Sequence, residues 1–92
     1  MATVAVSARI TGRVQGVAFR AWAQAVAEHH GLSGWVRNEP DGSVRALIMG
    51  PAPDVSAMVR ALGKGPPAAH VAGVTTRTVE PDPEISGFQI TR

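Results

Sequence analysis

The 92-residue chain contains no cysteine, and that absence removes a disulfide framework, a thiolate zinc site and a cysteine nucleophile together. It fits a reducing compartment. Tyrosine is also missing, and aromatic residues make up only 4% of the chain. Charged residues are few, at 17%, yet an apolar fraction of 45% still places the chain with globular proteins rather than disordered ones. No apolar run approaches membrane-spanning length, and Arg9 interrupts the one N-terminal apolar stretch. Neither a signal peptide nor a membrane contact is expected, and the predicted location is cytoplasmic. The formal net charge is +2, from basic residues scattered along the sequence rather than gathered in a run. Such a balance suits a small anionic ligand better than a polyanion.

What is present suffices for one domain, residues 1–92, with a single modest core. Thr3 to Thr11 alternates, with Val4, Val6, Ala8 and Ile10 on one face and Ser7, Arg9 and Thr11 on the other, which predicts a half-buried strand. Phe19, Trp22, Ala23, Val26 and Ala27 form a helical stripe over about 17–30, stopped by Gly31. A second strand over 34–38 and a third over 43–49 flank the hairpin signal Asp41-Gly42. Pro51 and Pro53 open a second helix with Asp54 in its first turn and Val55, Met58, Val59 and Leu62 on one side. A loop over 63–67, a fourth strand over 71–80 and a short last strand over 87–91 complete the chain. The order β-α-β-β-α-β plus a terminal strand predicts an α+β, ferredoxin-like split βαβ sandwich: a mostly antiparallel sheet with both helices on one face.

That topology constrains chemistry. Gly12 to Arg20 leaves a strand, passes a glycine turn and enters a helix with an arginine in its first turn. Backbone N–H groups there are free to meet an anion, and a guanidinium beside them adds charge and a bidentate fork. In a split βαβ unit the first two strands run parallel with the third between them, so their C-terminal ends lie about 10 Å apart at one sheet edge. Asn38, ending the second strand, should face the same volume as the turn and Arg20. Taken singly, Arg20 also fits a solvated helix arginine and Asn38 a turn residue. Arg37 alternates away from Asn38 into solvent, Asp41 shapes the hairpin, and Trp22, Trp35 and Phe88 are assigned to the core.

Gly12-x-Val14-Gln15-Gly16-Val17-x-Phe19-Arg20 and Gly34-Trp35-Val36-Arg37-Asn38-x-x-Asp41-Gly42-x-Val44 resemble the two signatures of acylphosphatases. Gly65-Pro66-Pro67-Ala68 followed by Val71, and the closing Phe88-x-Ile90, also resemble that family's pattern, so the likeness spans nearly the whole chain. The resemblance implies that backbone amides of Gln15, Gly16, Val17, Ala18 and Phe19 cradle a phosphoryl group, which Arg20 holds and neutralises. Asn38 would position the attacking water. The implied reaction is hydrolysis of an acyl phosphate to carboxylate and inorganic phosphate, with no metal or cofactor, by a monomer whose only partners are substrate and phosphate.

The residues agree with such chemistry. A carboxylate leaving group, with a conjugate acid pKa of about 4, needs no general acid at neutral pH. Phosphoryl transfer asks mainly for positioning and charge stabilisation. A non-enzymatic phosphate-binding or regulatory module of the same fold is the alternative; an RNA-recognition sheet is disfavoured because the strands over 7–11 and 44–49 carry no aromatic residue. His29 and His30 point about 100° apart on a helix and His70 stands alone, so no metal site is expected. His30 occupies the helical stripe where the family usually carries leucine, a departure that puts the packing there in question and could make stability pH-sensitive.

Overall fold

The computed structural model describes residues 2–92. Seven elements follow in the order β1 (Thr3–Arg13), α1 (Phe19–His29), β2 (Ser33–Asn38), β3 (Val44–Pro51), α2 (Ala52–Lys64), β4 (His70–Val79) and β5 (Phe88–Ile90). The strands form one sheet in the order β4-β1-β3-β2-β5. β3 pairs antiparallel with both β1 and β2, so β1 and β2 run parallel with β3 between them, as the split βαβ pattern requires. β5 adds parallel to β2, which makes the sheet mixed.

Alternation along the strands builds the core. Ala8, Ile10, Val36, Val44, Ala46 and Ile48 turn to one face and are buried against Phe19, Ala23 and Ala27 of α1 and Val55, Met58 and Leu62 of α2. Val4, Val6, Trp22 and Val26 pack on its margin. Phe88 is buried as expected. Trp35 is not in this core. Val36 takes the inward position, so its neighbour must point to the opposite face. There the Trp35 ring is half-buried and lies 4.6 Å below the guanidinium carbon of Arg37.

Boundaries differ from the sequence expectation in ways that bear on the site. β1 continues to Arg13 through a register shift between Thr11 and Gly12. Gly12 permits that shift: its φ is +115°, and a Cβ there would collide with the His70 carbonyl oxygen. α1 begins two residues later than the stripe suggested, because Ala18 is left-handed (φ 62°, ψ 25°). α2 runs on through Gly63 to Lys64 rather than ending before a loop. The 80–87 segment carries the chain from the β4 edge to β5 at the other edge, and on the way Asp82 N–H meets Met49 Sδ at 3.3 Å.

His30 does not enter the core either. Its Nδ1 lies 3.2 Å from Asp54 Oδ1, tying the end of α1 to the first turn of α2. That partnership accounts for a polar side chain at the end of an apolar stripe.

Candidate active site

The turn between β1 and α1 is shaped by backbone handedness. Gly16 (φ 72°) and Ala18 (φ 62°) are left-handed, with Val17 between them at negative φ and a right-handed helix after them. Alternation of this kind turns successive N–H groups toward a common point. Among the described residues, no N–H from Gln15 to Ala18 donates to a backbone acceptor, and no side chain caps α1. The first turn of α1 also carries no acidic residue, so its positive end is left for an external anion.

Gln15 holds the turn in place. Its Nε2 donates to the carbonyls of Glu39, at 2.8 Å, and Ser43, at 2.9 Å, on the β2–β3 hairpin. The hairpin is itself braced by Asp41: Ser43 Oγ and N–H donate to Oδ1 at 2.6 and 2.9 Å, and Arg9 reaches Oδ2 at 2.8 Å. These bonds, with the Ser43 hydroxyl first and the Arg9 guanidinium next, hold the Asp41 carboxyl well below the ordinary carboxylate range. Sequence reading gave Asp41 its shaping role but no role to the Gln15 side chain, whose partners are visible only once the hairpin is folded beside the turn.

Asn38 closes β2 opposite Val44, which on its other side faces Ile10 of β1. Asn38 and the β1 exit are therefore two strand spacings apart on the helix-covered side. A cavity of about 230 Å³ opens between them. Gly16, Ala18, Arg20 and Asn38 supply its polar wall, while Val14, Phe19, Ala21 and Ile90 supply an apolar one. Phe19 is buried and meets Trp22 edge-on at 5.3 Å, which fixes the start of the helix. Of the residues expected at a phosphate cradle, Gly16, Ala18, Phe19 and Arg20 line this cavity. The side chains of Gln15 and Val17 do not: the first faces the hairpin and the second packs on the core.

Asn38 Oδ1 is buried and has no hydrogen-bond partner among the described residues. An orphaned buried acceptor costs about 1–3 kcal/mol, and this one belongs to a residue that lines the same cavity as Arg20, Gly16 and Ala18. Ile90 is the further residue that sequence reading missed. It is 41% exposed, the one large exposed hydrophobic side chain among the described residues, and it stands on the cavity wall. Its spacing from Phe88 placed it in a strand but could not place that strand beside Asn38. No group of three or more His, Cys, Asp or Glu side chains converges to hold a metal among the described residues.

The cavity can therefore grip a tetrahedral oxyanion at its polar end and rest an apolar group against Ile90. Comparison with known proteins points the same way. The profile of the acylphosphatase family matches residues 6–90. An acylphosphatase from Sinorhizobium medicae is 55% identical over 84 residues, covering 91% of this chain and 89% of its own. A crystal structure of an acylphosphatase from Bacillus subtilis superimposes with a TM-score of 0.92 at 31% identity, over 97% of this chain and 99% of that one. An acylphosphatase structure from Coxiella burnetii is similar at TM-score 0.92 and 29% identity, covering 97% and 93% of the two chains. With sequence and fold in agreement over nearly its full length, this chain belongs to the acylphosphatase family.

Proposed function

We propose that this enzyme hydrolyses acyl phosphates in the cavity between the 14–20 turn and the end of β2. The observation that carries the reading is the buried Asn38 Oδ1, without a hydrogen-bond partner among the described residues, sharing one cavity with Arg20 and the left-handed turn. The N–H groups from Gln15 to Phe19 and the Arg20 fork take the phosphoryl oxygens, whose charge they stabilise through the transition state. Asn38 Oδ1 accepts a hydrogen bond from a water molecule and holds that oxygen facing phosphorus.

As the water oxygen bonds to phosphorus, the bond from phosphorus to the acyl oxygen breaks, and its electron pair leaves with the carboxylate. One of the water's protons passes to a phosphoryl oxygen and the other stays on the attacking oxygen, giving dihydrogen phosphate, which equilibrates with hydrogen phosphate by losing a proton to solvent. No side-chain acid is required, because a carboxylate leaves unprotonated at neutral pH. Inorganic phosphate, as product, competes for the same cradle. The protein acts as a monomer without cofactor, which light scattering during turnover checks.

Hydrolysis of benzoyl phosphate, with and without chelator, tests the proposal. Turnover unaffected by chelator is expected; no turnover above background overturns the hydrolytic reading in favour of a phosphate-binding module. Arg20→Ala is expected to lower kcat/KM by about 10³-fold and Asn38→Ala by about 10²-fold, mainly in kcat, with thermal midpoints near the parent's. Near-normal kcat in Asn38→Ala would remove the water-positioning role.

A further inference from the structure

The basic residues, scattered in the sequence, do not stay scattered in the fold. Arg37, Arg45 and Arg9 stand directly opposite one another on β2, β3 and β1, on the sheet face away from the helices. Thr75 of β4 faces Arg9, and Arg77 lies on the same face two residues further on. Four of the chain's nine lysines and arginines thus share one face. Like charges directly opposite across a sheet are destabilising, and here three follow in a row.

Carboxylates answer only part of this charge. Asp41 pairs with Arg9 and Glu39 with Arg37, each at 2.8 Å. Arg45 and Arg77 have no ion-pair partner among the described residues. A groove of about 300 Å³ opens where they meet, walled by Arg9, Arg45 and Arg77 with Ser7, Thr75 and Thr76. No carboxylate and no large apolar side chain lines it. It lies on the opposite sheet face from the core and the catalytic cavity, so it is a separate place on the molecule.

We propose that this groove binds a small oligophosphate, a ligand with two or three linked phosphate groups. Guanidinium forks match phosphate oxygens bidentately, and hydroxyls of Ser7 and Thr75 complete the shell. Cross-strand neighbours about 5 Å apart and diagonal ones about 7–8 Å apart put three guanidinium groups within reach of adjacent phosphates. The size suits a small molecule. A single-stranded nucleic acid is a poorer occupant, because its bases need aromatic faces to stack on. Trp35, the one aromatic residue on this face, is separated from Arg77 by Leu47 and Ser7 in its row, and Arg37 lies over its ring.

Calorimetric titration of inorganic triphosphate into Arg20→Ala protein, which weakens the catalytic cradle as a competing site, tests the proposal independently of the catalytic reading. One equivalent is expected to bind, with affinity falling as salt is raised. Adding Arg45→Ala and Arg77→Ala together should weaken binding by about tenfold per arginine removed. The paired lysine replacements should fall between, since they keep charge but lose the fork. In the Arg20-intact background the alanine pair should hydrolyse benzoyl phosphate at the parent rate and melt no lower than the parent at low salt, which separates lost binding from lost folding. Triphosphate affinity unchanged by the alanine pair overturns the proposal. So does an oligothymidylate that displaces triphosphate at equal phosphate concentration, which would make the face a nucleic-acid surface.

Discussion

Ala18 shows how a single backbone angle is put to use. A non-glycine residue in the left-handed region is strained by about 1–2 kcal/mol, and here the strain sits at the N-cap of α1, where it opens the N–H row toward the cavity. Ala18→Gly is expected to raise stability by about 1 kcal/mol in urea denaturation, since glycine adopts this angle freely. The same change loosens the cradle, so KM for benzoyl phosphate should rise while the protein becomes more stable. At the opposite wall stands the exposed side chain of Ile90, where the proposed reaction would place the acyl group. Ile90→Ala should lower kcat/KM for benzoyl phosphate by about tenfold and leave acetyl phosphate nearly unchanged. Equal loss on both substrates would deny Ile90 a place against the acyl group.

Between elements, the decisive contact is the one from Gln15 to the β2–β3 hairpin. Gln15→Ala removes two side-chain hydrogen bonds, although the Glu39 and Ser43 carbonyls each keep a backbone donor, and should cost about 1–2 kcal/mol of stability in denaturant titration. The turn then loses its brace against the strand that carries Asn38. A drop in kcat larger than any change in KM is expected if Asn38 holds the attacking water as proposed, because turn and Asn38 fall out of register while Arg20 remains. The parts of the site that were legible beforehand are those written in local sequence: the glycine turn, Arg20 one residue into α1, and Asn38 at a strand end. Gln15, Ile90 and the outward turn of Trp35 were not legible. Each depends on which strand lies next to which, and a single sequence records no neighbour across space.

Across the whole molecule, Asp41 links β1 to the hairpin through Arg9 and so gives acid stability a defined sign. Its carboxyl is held below the ordinary value of 3.8 in the folded chain. The folded state therefore binds that proton more weakly than the unfolded chain. The resulting stabilisation is fully present above the ordinary value and is lost as pH falls below it toward the folded value. Asp41→Asn should flatten this part of the stability profile below about pH 4, seen as a smaller fall in thermal midpoint than the parent shows. Salt should narrow the difference, because the Asp41–Arg9 pair is exposed.

Local rules were enough for the sequence alone to determine the elements, their order, the split βαβ topology and the edge at which Gly16, Arg20 and Asn38 would meet. Periodicity, glycine turns and short connections are properties of neighbours along the chain. Tertiary structure alone decided where β5 went, and with it the apolar wall at Ile90. It also decided that Arg9, Arg37, Arg45 and Arg77 would share one face, although the sequence spreads them over about seventy positions. The reason is geometric: alternation fixes which way a strand residue points, but only register across strands fixes what it points beside.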